Sequence, residues 1–213
     1  MAENLLLRGG YRRTHFQADQ TTLQAVSQMG TLWKQKIEAL ELRNQETFIP
    51  KFTKLKQKVS IPEIFQFQEL ILQAIIRKYF YIEENLKDFL SKLNIKDISP
   101  DIFEVLGEKA FPEGHVDILI KESTPVGISR KIIIEVKTGV ANEQDLNQLR
   151  NYVNEIGEEC IAAVLIAKKF QRVVIREAPG KRINLFEYNF ANLNDISPFT
   201  FDDLFRDFYL SKF

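Results

Sequence analysis

Apolar positions keep a helical period in the first half of the chain and a strand-like one from about residue 101. Between residues 20 and 46, Leu23, Val26, Trp33, Ile37 and Leu40 recur at helical spacing, with no proline until Pro50. That spacing predicts a long amphipathic helix. Residues 1–19 have little apolar period and carry Gly9, Gly10, Arg8, Arg12 and Arg13, so they read as a basic arm. KFTKLKQK, residues 51–58, reads as a basic connector. Ser60-Ile61-Pro62-Glu63 then offers a cap, a proline in the first turn and an acid at the capping-box position. A helix starting there would run through IFQFQELILQAIIRKYF, apolar on nearly every side and therefore central and buried. A polar turn is expected from Asn94 to Pro100.

FEVLGEKAF, HVDILIK and RKIIIEVK follow, short and β-branched, separated by turns that bear glycine or proline. They read as three consecutive, antiparallel strands. NEQDLNQLRNYVNE, residues 142–155, returns to helical period with Leu146, Leu149 and Val153 on one face. CIAAVLIA, residues 160–167, suits a strand covered on both faces. QRVVIRE and INLFEY read as final strands, and FDDLFRDFYL as a terminal amphipathic helix. The order is helix, three strands, helix, strand. It implies an α/β fold with a mixed central sheet flanked by helices, divided as an N-terminal extension (1–59) and a core domain (60–213).

Composition narrows the picture. The 213 residues are 45% apolar, enough for one sizeable core and too ordinary for a disordered or collagen-like chain. The single cysteine, Cys160, can form no disulfide within the chain and reads as a small buried hydrophobe. No stretch reaches the roughly 18–20 apolar residues of a membrane span, and the N-terminal MAENLLLRGGYRR has the wrong charge order for a secretion signal. An intracellular protein without a membrane partner is expected. Net charge is zero but unevenly spread: +5 over residues 1–60, −5 over 61–129 and balanced thereafter. A basic arm before an acidic middle could bind phosphate in one place and a metal in another.

Side chains two apart on a strand share a face. His115, Asp117, Leu119 and Lys121 would share one face of HVDILIK. Glu135 and Lys137 would share one face of KIIIEVK, with Ile132, Ile134 and Val136 turned to the core. Asp117, Glu135 and Lys137 would then meet at the end of an apolar sheet, where charge is costly unless paired or metal-bound. Two close carboxylates favour a hard cation such as Mg²⁺ or Mn²⁺. A lysine beside them can orient a water or steady charge on a phosphate.

Asp117 followed by Glu135-Val136-Lys137 resembles the PD-(D/E)XK nuclease superfamily. GHVDILI and IIIEVKTG are similar to the RecB-like and archaeal junction-resolvase branches, and Gln148 with Tyr152 matches the RecB-like Q-x-x-x-Y pattern. The likeness covers about residues 60–190, and Val116 stands where the family name has proline. It implies a restriction-endonuclease-like αβββαβ core and a metal-dependent DNA endonuclease, acting on junctions or branched DNA. It implies metal ligation by Asp117, Glu135, the Val136 carbonyl and an acid from the preceding helix, with Lys137 assisting water. For that acid, Glu69 falls on the buried side between Phe65, Leu72 and Ile76, whereas Glu63 already serves as a cap. Glu104, Glu108 and Glu113 are weaker alternates.

Gln148 could bond the lysine or a phosphate. His115 could touch phosphate or be a packed bystander, and Tyr152 could meet nucleic acid or sit in the core. Arg8, Arg12, Arg13, Lys51, Lys54, Lys56 and Lys58 could track a DNA backbone or form an ordinary solvated surface. No small-molecule cofactor is expected. The apolar stripe of residues 20–46 needs cover, and a homodimer would supply it. Two readings compete with the nuclease. One is a non-catalytic DNA-binding or assembly protein of the same fold. The other is a nucleotide-binding α/β protein, for which no glycine-rich phosphate loop is visible.

Overall fold

The computed structural model describes residues 49–213, apart from 62, 96–98, 108, 112–113, 126, 180–182 and 194–197. The chain divides into two units, Met1–Thr47 and Phe48–Phe213, and the described residues lie in the second. The arm over 1–19, with Arg8, Arg12 and Arg13, and the helix expected over 20–46 lie outside the described residues.

The frame is a mixed six-stranded sheet, ordered β11-β9-β8-β7-β6-β3. Its strands are β3 (Phe103–Leu106), β6 (Ile118–Glu122), β7 (Lys131–Ala141), β8 (Cys160–Phe170), β9 (Ile183–Phe190) and β11 (Phe208–Lys212). β7, β8 and β9 run parallel, and the other neighbours pair antiparallel. Helices α1 (Glu69–Phe80) and α2 (Glu83–Lys92) cover one face, where Leu72, Ile76 and Phe89 pack with Ile132, Ile134 and Val136. Helix α3 (Glu143–Ile156) covers the other face, where Leu146 and Leu149 meet Ile133, Ala163 and Leu165. Burial on both faces explains why β7 and β8 read as continuous apolar runs. From α1 to β8 the main elements follow the order αβββαβ, a mixed sheet flanked by helices as expected.

The helix expected from Ser60 begins only at Glu69. A non-local pairing claims the preceding residues: β2 (Ile64–Gln66) lies parallel to β1 (Lys51–Thr53), which pairs antiparallel with β10 (Phe199–Thr200). The Ser60 carbonyl accepts from the Glu63 and Ile64 amides, closing a turn where a helix cap was expected. The basic connector is thus strand β1 followed by a 3₁₀ turn at Lys56–Lys58. The long buried helix ends at Phe80, where its apolar run ends, and α2 starts afresh at Glu83. Asn94, with φ of 62°, supplies the left-handed residue in the polar turn that follows.

Two of the three expected strands are each broken. FEVLGEKAF divides into β3 and β4 (Lys109–Phe111), and HVDILIK into β5 (Gly114–Val116) and β6. β4 and β5 form a separate two-stranded sheet. The break at Asp117 resets the alternation, so Val116 packs on the α3 side with Leu119, not with Ile118 as expected. QRVVIRE is helix α4 (Arg172–Glu177) rather than a strand. β8 and β9 are parallel, so the chain between them must cross over, and Val174 and Ala178 bury that crossover against the α3 side. FDDLFRDFYL is helical only over α5 (Phe201–Asp207), capped by Thr200 and Asp203; its remainder is edge strand β11.

Phe89 stands between Phe80 and Phe186, with ring centroids 4.5 and 5.1 Å away, and holds α2 to the sheet. Phe89→Ala is expected to cost about 3–5 kcal/mol, read as a lowered urea midpoint with unchanged slope.

Candidate functional site

β7 carries the centre of the site. Glu135 points from the sheet interior and is only 2% exposed, and Lys137 follows two residues later on the same face. Lys137 Nζ lies 2.9 Å from Glu135 Oε1, 3.2 Å from Glu69 Oε1 and 4.0 Å from Asp145 Oδ1. One ammonium thus gathers carboxylates from a strand and from the first turns of two helices, α1 and α3.

Asp117 enters from the break between β5 and β6. The β6–β7 ladder ends at the Ile118–Ile134 pair. One residue before Ile118 and two after Ile134, the Val136 amide donates to Asp117 Oδ2 at 2.7 Å, so a side chain replaces the missing strand backbone. This bond fixes the Asp117 carboxylate next to Glu135. The chain departs from the sheet here to form the β4–β5 hairpin, which is why the acid sits at an opening rather than inside a continuous ladder.

Electrostatics follow from this crowding. Burial pushes the Glu135 carboxyl up to about 7, and the nearby Asp117 charge adds to the rise while Lys137 opposes it. Burial alone would pull Lys137 down, but Glu135, Glu69 and Asp117 outweigh it and hold the ammonium above its usual range. Tyr188 forms part of the surroundings: burial, with a contribution from Glu69, raises its hydroxyl, which donates to the Thr138 carbonyl at 2.7 Å.

The donor set is all oxygen, which suits a hard divalent cation. Glu135 Oε2 is buried without a hydrogen-bond partner among the described residues. Also among the described residues, no three His, Cys, Asp or Glu side chains already stand at the spacing of a metal site. The carboxylates converge on the Lys137 ammonium instead, which occupies the role of the local cation.

Other expected residues fall elsewhere. Glu63 is exposed in the turn before β2, and Glu104 on β3 pairs with Lys121 on β6. Glu108 and Glu113 lie outside the described residues. Gln148 Nε2 donates to the Tyr152 hydroxyl at 3.0 Å. Tyr152 is buried in the core, and its hydroxyl donates to the His115 carbonyl, tying α3 to the β4–β5 hairpin. His115 is exposed on that hairpin, outside the strand that follows Asp117. Lys51 is exposed on β1, Lys54 lies over the Phe190 ring at 5.2 Å, and Lys56 and Lys58 belong to the 3₁₀ turn.

Asp145 was not among the expected residues. It forms a reciprocal capping box with Asn142 at the start of α3, and its second oxygen faces Lys137. The N-x-x-D spacing directly after the lysine-bearing strand was the available signal.

The raised Glu135 carboxyl sets a pH dependence. Between pH of about 4.5 and 7 the folded protein holds a proton here that the unfolded chain has lost, so stability falls as pH rises through that window. Above it the contribution is level. In metal-free protein, Glu135→Gln is expected to gain on wild type by up to about 1.4 kcal/mol per pH unit across the window. Urea unfolding at several pH values checks this, and a carboxyl ¹³C titration should place the Glu135 midpoint near 7. A midpoint at the ordinary value of 4.5 would contradict the burial argument.

No family model and no curated protein matches the chain. Among solved structures it is similar to a repair endonuclease from Pyrococcus abyssi, with 17% identity, a TM-score of 0.32, and 48% of this chain and 43% of that one covered. It is similar to EndoMS in an EndoMS–dsDNA2 complex, with 20% identity, a TM-score of 0.37 and coverages of 60% and 47%. For EndoMS in its apo form the values are 14%, 0.29, 49% and 45%. The chain therefore spans less than half the length of each, and the reading of its site rests on the site's own geometry.

Proposed function

We propose that this protein is a divalent-metal-dependent DNA endonuclease, directed at junctions or branched DNA. The observation that carries the reading is the buried, half-satisfied Glu135 carboxylate, with Asp117 fixed beside it and Lys137 two residues along the same face. A buried acid next to a second acid is expensive unless a cation compensates it, and Lys137 alone leaves Glu135 raised. Asp117, Glu135, the Val136 carbonyl and Glu69 are the groups that would hold Mg²⁺ or Mn²⁺. When bound, such an ion supplies Lewis-acid activation of a water and neutralises charge at the phosphate.

The chain's own residues divide the remaining work. Lys137 stays an ammonium at neutral pH, so it serves as hydrogen-bond donor to the attacking water and to phosphoryl oxygens rather than as the proton acceptor. Glu69 holds that ammonium from the α1 side, and Asp145 holds it from α3. Asp117 keeps its orientation through the Val136 amide.

A cleavage assay with Mg²⁺ on duplex, single-stranded, flap and four-way-junction DNA tests the reading. Asp117→Asn, Glu135→Gln and Lys137→Ala are each expected to lower cleavage about 100-fold or more, and chelation by EDTA to abolish it. Full activity in Asp117→Asn would reject the assignment. Glu69→Gln is expected to impair turnover more than Glu63→Gln, because only Glu69 reaches Lys137; the reverse order at equal stability would move the helix acid to Glu63.

The reading includes a homodimer, supported by the apolar stripe of Leu23, Val26, Trp33, Ile37 and Leu40. Two sites would then serve the two strands of a duplex or junction. Light scattering on the full chain is expected to give twice the 24.8 kDa chain mass at micromolar concentration. A monomer mass throughout that range would reject it.

A further inference from the structure

Arg77 lies on α1 eight residues after Glu69, about 12 Å along the axis and about 80° around it. Helical side chains lean towards the N-terminus, so its long arm reaches back in the direction of Glu69. The guanidinium rests against Gly107: a Cβ added there would stand 2.2 Å from Nη1. Glycine is therefore what leaves room for the arginine. Leu106 pairs with Leu119 and Lys109 with Val116, in two separate sheets. Gly107 thus lies where the chain leaves β3, and Asp117 where it enters β6.

Arg77 is half-buried, its Nε is shielded from solvent, and that atom has no acceptor among the described residues. Four of the five other described arginines pair with a carboxylate. Arg130 pairs with Glu122, Arg150 and Arg176 with Glu177, and Arg206 with Asp203. No such carboxylate partner is found for Arg77 among the described residues. A partly desolvated cation without an anion is costly, so the cost must be offset by something else.

The cluster at the N-terminal end of the same helix is strongly acidic. Glu69, Asp117, Glu135 and Asp145 surround the single ammonium of Lys137. A phosphodiester entering that cluster meets repulsion unless a cation beside it draws the anion in. Arginine's planar fork fits phosphate oxygens bidentately.

We propose that Arg77, seated over Gly107, is an anchor for a backbone phosphate of the nucleic acid, beside the phosphate to be cleaved. Its position relative to cleavage rests on the endonuclease reading; its anion binding does not. Arg77 offsets the acidic field and fixes the strand so that the neighbouring phosphate meets Lys137.

Binding of the full-length protein to a fluorescent duplex is measured against salt, with Ca²⁺ in place of Mg²⁺. Arg77→Gln, which removes the charged guanidinium tip and keeps a polar amide near the position of Nε, is expected to weaken binding about tenfold and to reduce the log–log salt slope by about 0.9, one phosphate contact. Arg77→Lys should restore the slope without the full affinity. Should Arg77→Gln fail to fold, Gly107→Ala, which takes the guanidinium's space, is expected to weaken binding in the same assay. Absence of duplex binding in wild type, or an unchanged affinity and slope in the folded variant, overturns the anchor. Wild-type binding with the expected slope change but no cleavage under any metal keeps the anchor and removes the endonuclease reading. Cleavage with an unchanged slope in Arg77→Gln does the opposite.

Discussion

The grip of one ammonium on carboxylates from separate elements organises the open end of this sheet. Lys137 is reached by Glu135 on its own strand, by Glu69 at the start of α1 and by Asp145 at the start of α3. α1 and α3 cover opposite faces, so the lysine connects the two layers where the apolar sandwich ends. The arrangement is under-compensated: with Asp117 also close, Glu135 remains raised and one of its oxygens unbonded. Excess negative charge held in place by a rigid frame is what a cation-dependent phosphoryl-transfer site requires.

The frame supplies that rigidity through burial on both faces of β7 and β8. Ile132, Ile134 and Val136 bind the α1 layer, while Ile133 binds the α3 layer. Glu135 sits between these anchors, so its backbone has little freedom to relieve the crowding. Asp117 is fixed differently, by ending a ladder: its carboxylate takes the amide that the departing strand no longer satisfies. Stability and candidate chemistry therefore draw on the same few residues, and the pH dependence of Glu135 expresses that overlap.

Much of this was legible in the sequence because it is local. The IIIEVK run, the helix from Asn142 and the i, i+2 relation of Glu135 and Lys137 follow from periodicity alone. Glu69 is preferred to Glu63 by an angle around a helix that begins only at Glu69; what brings it to Lys137 is its place in the first turn of α1. What escaped depends on distant partners. Residues 60–66 carry a helix-start pattern, yet β1 captures Ile64–Gln66 as a strand. QRVVIRE has strand-like propensity, yet the parallel β8–β9 pair requires a crossover helix there. Asp117 breaks HVDILIK where its carboxylate accepts from the Val136 amide, a partner on another strand. Arg77 carries no pattern at all; its significance comes from Gly107, brought to it by the fold.

The most direct measurement of the central claim is anomalous diffraction from crystals of the full chain grown with Mn²⁺. The account predicts a manganese peak between the Asp117 and Glu135 carboxylates, close to the Val136 carbonyl, with Lys137 displaced from Glu135 towards solvent or substrate. Manganese absent from that position at saturating concentration, with the Lys137–Glu135 pair intact, would contradict it.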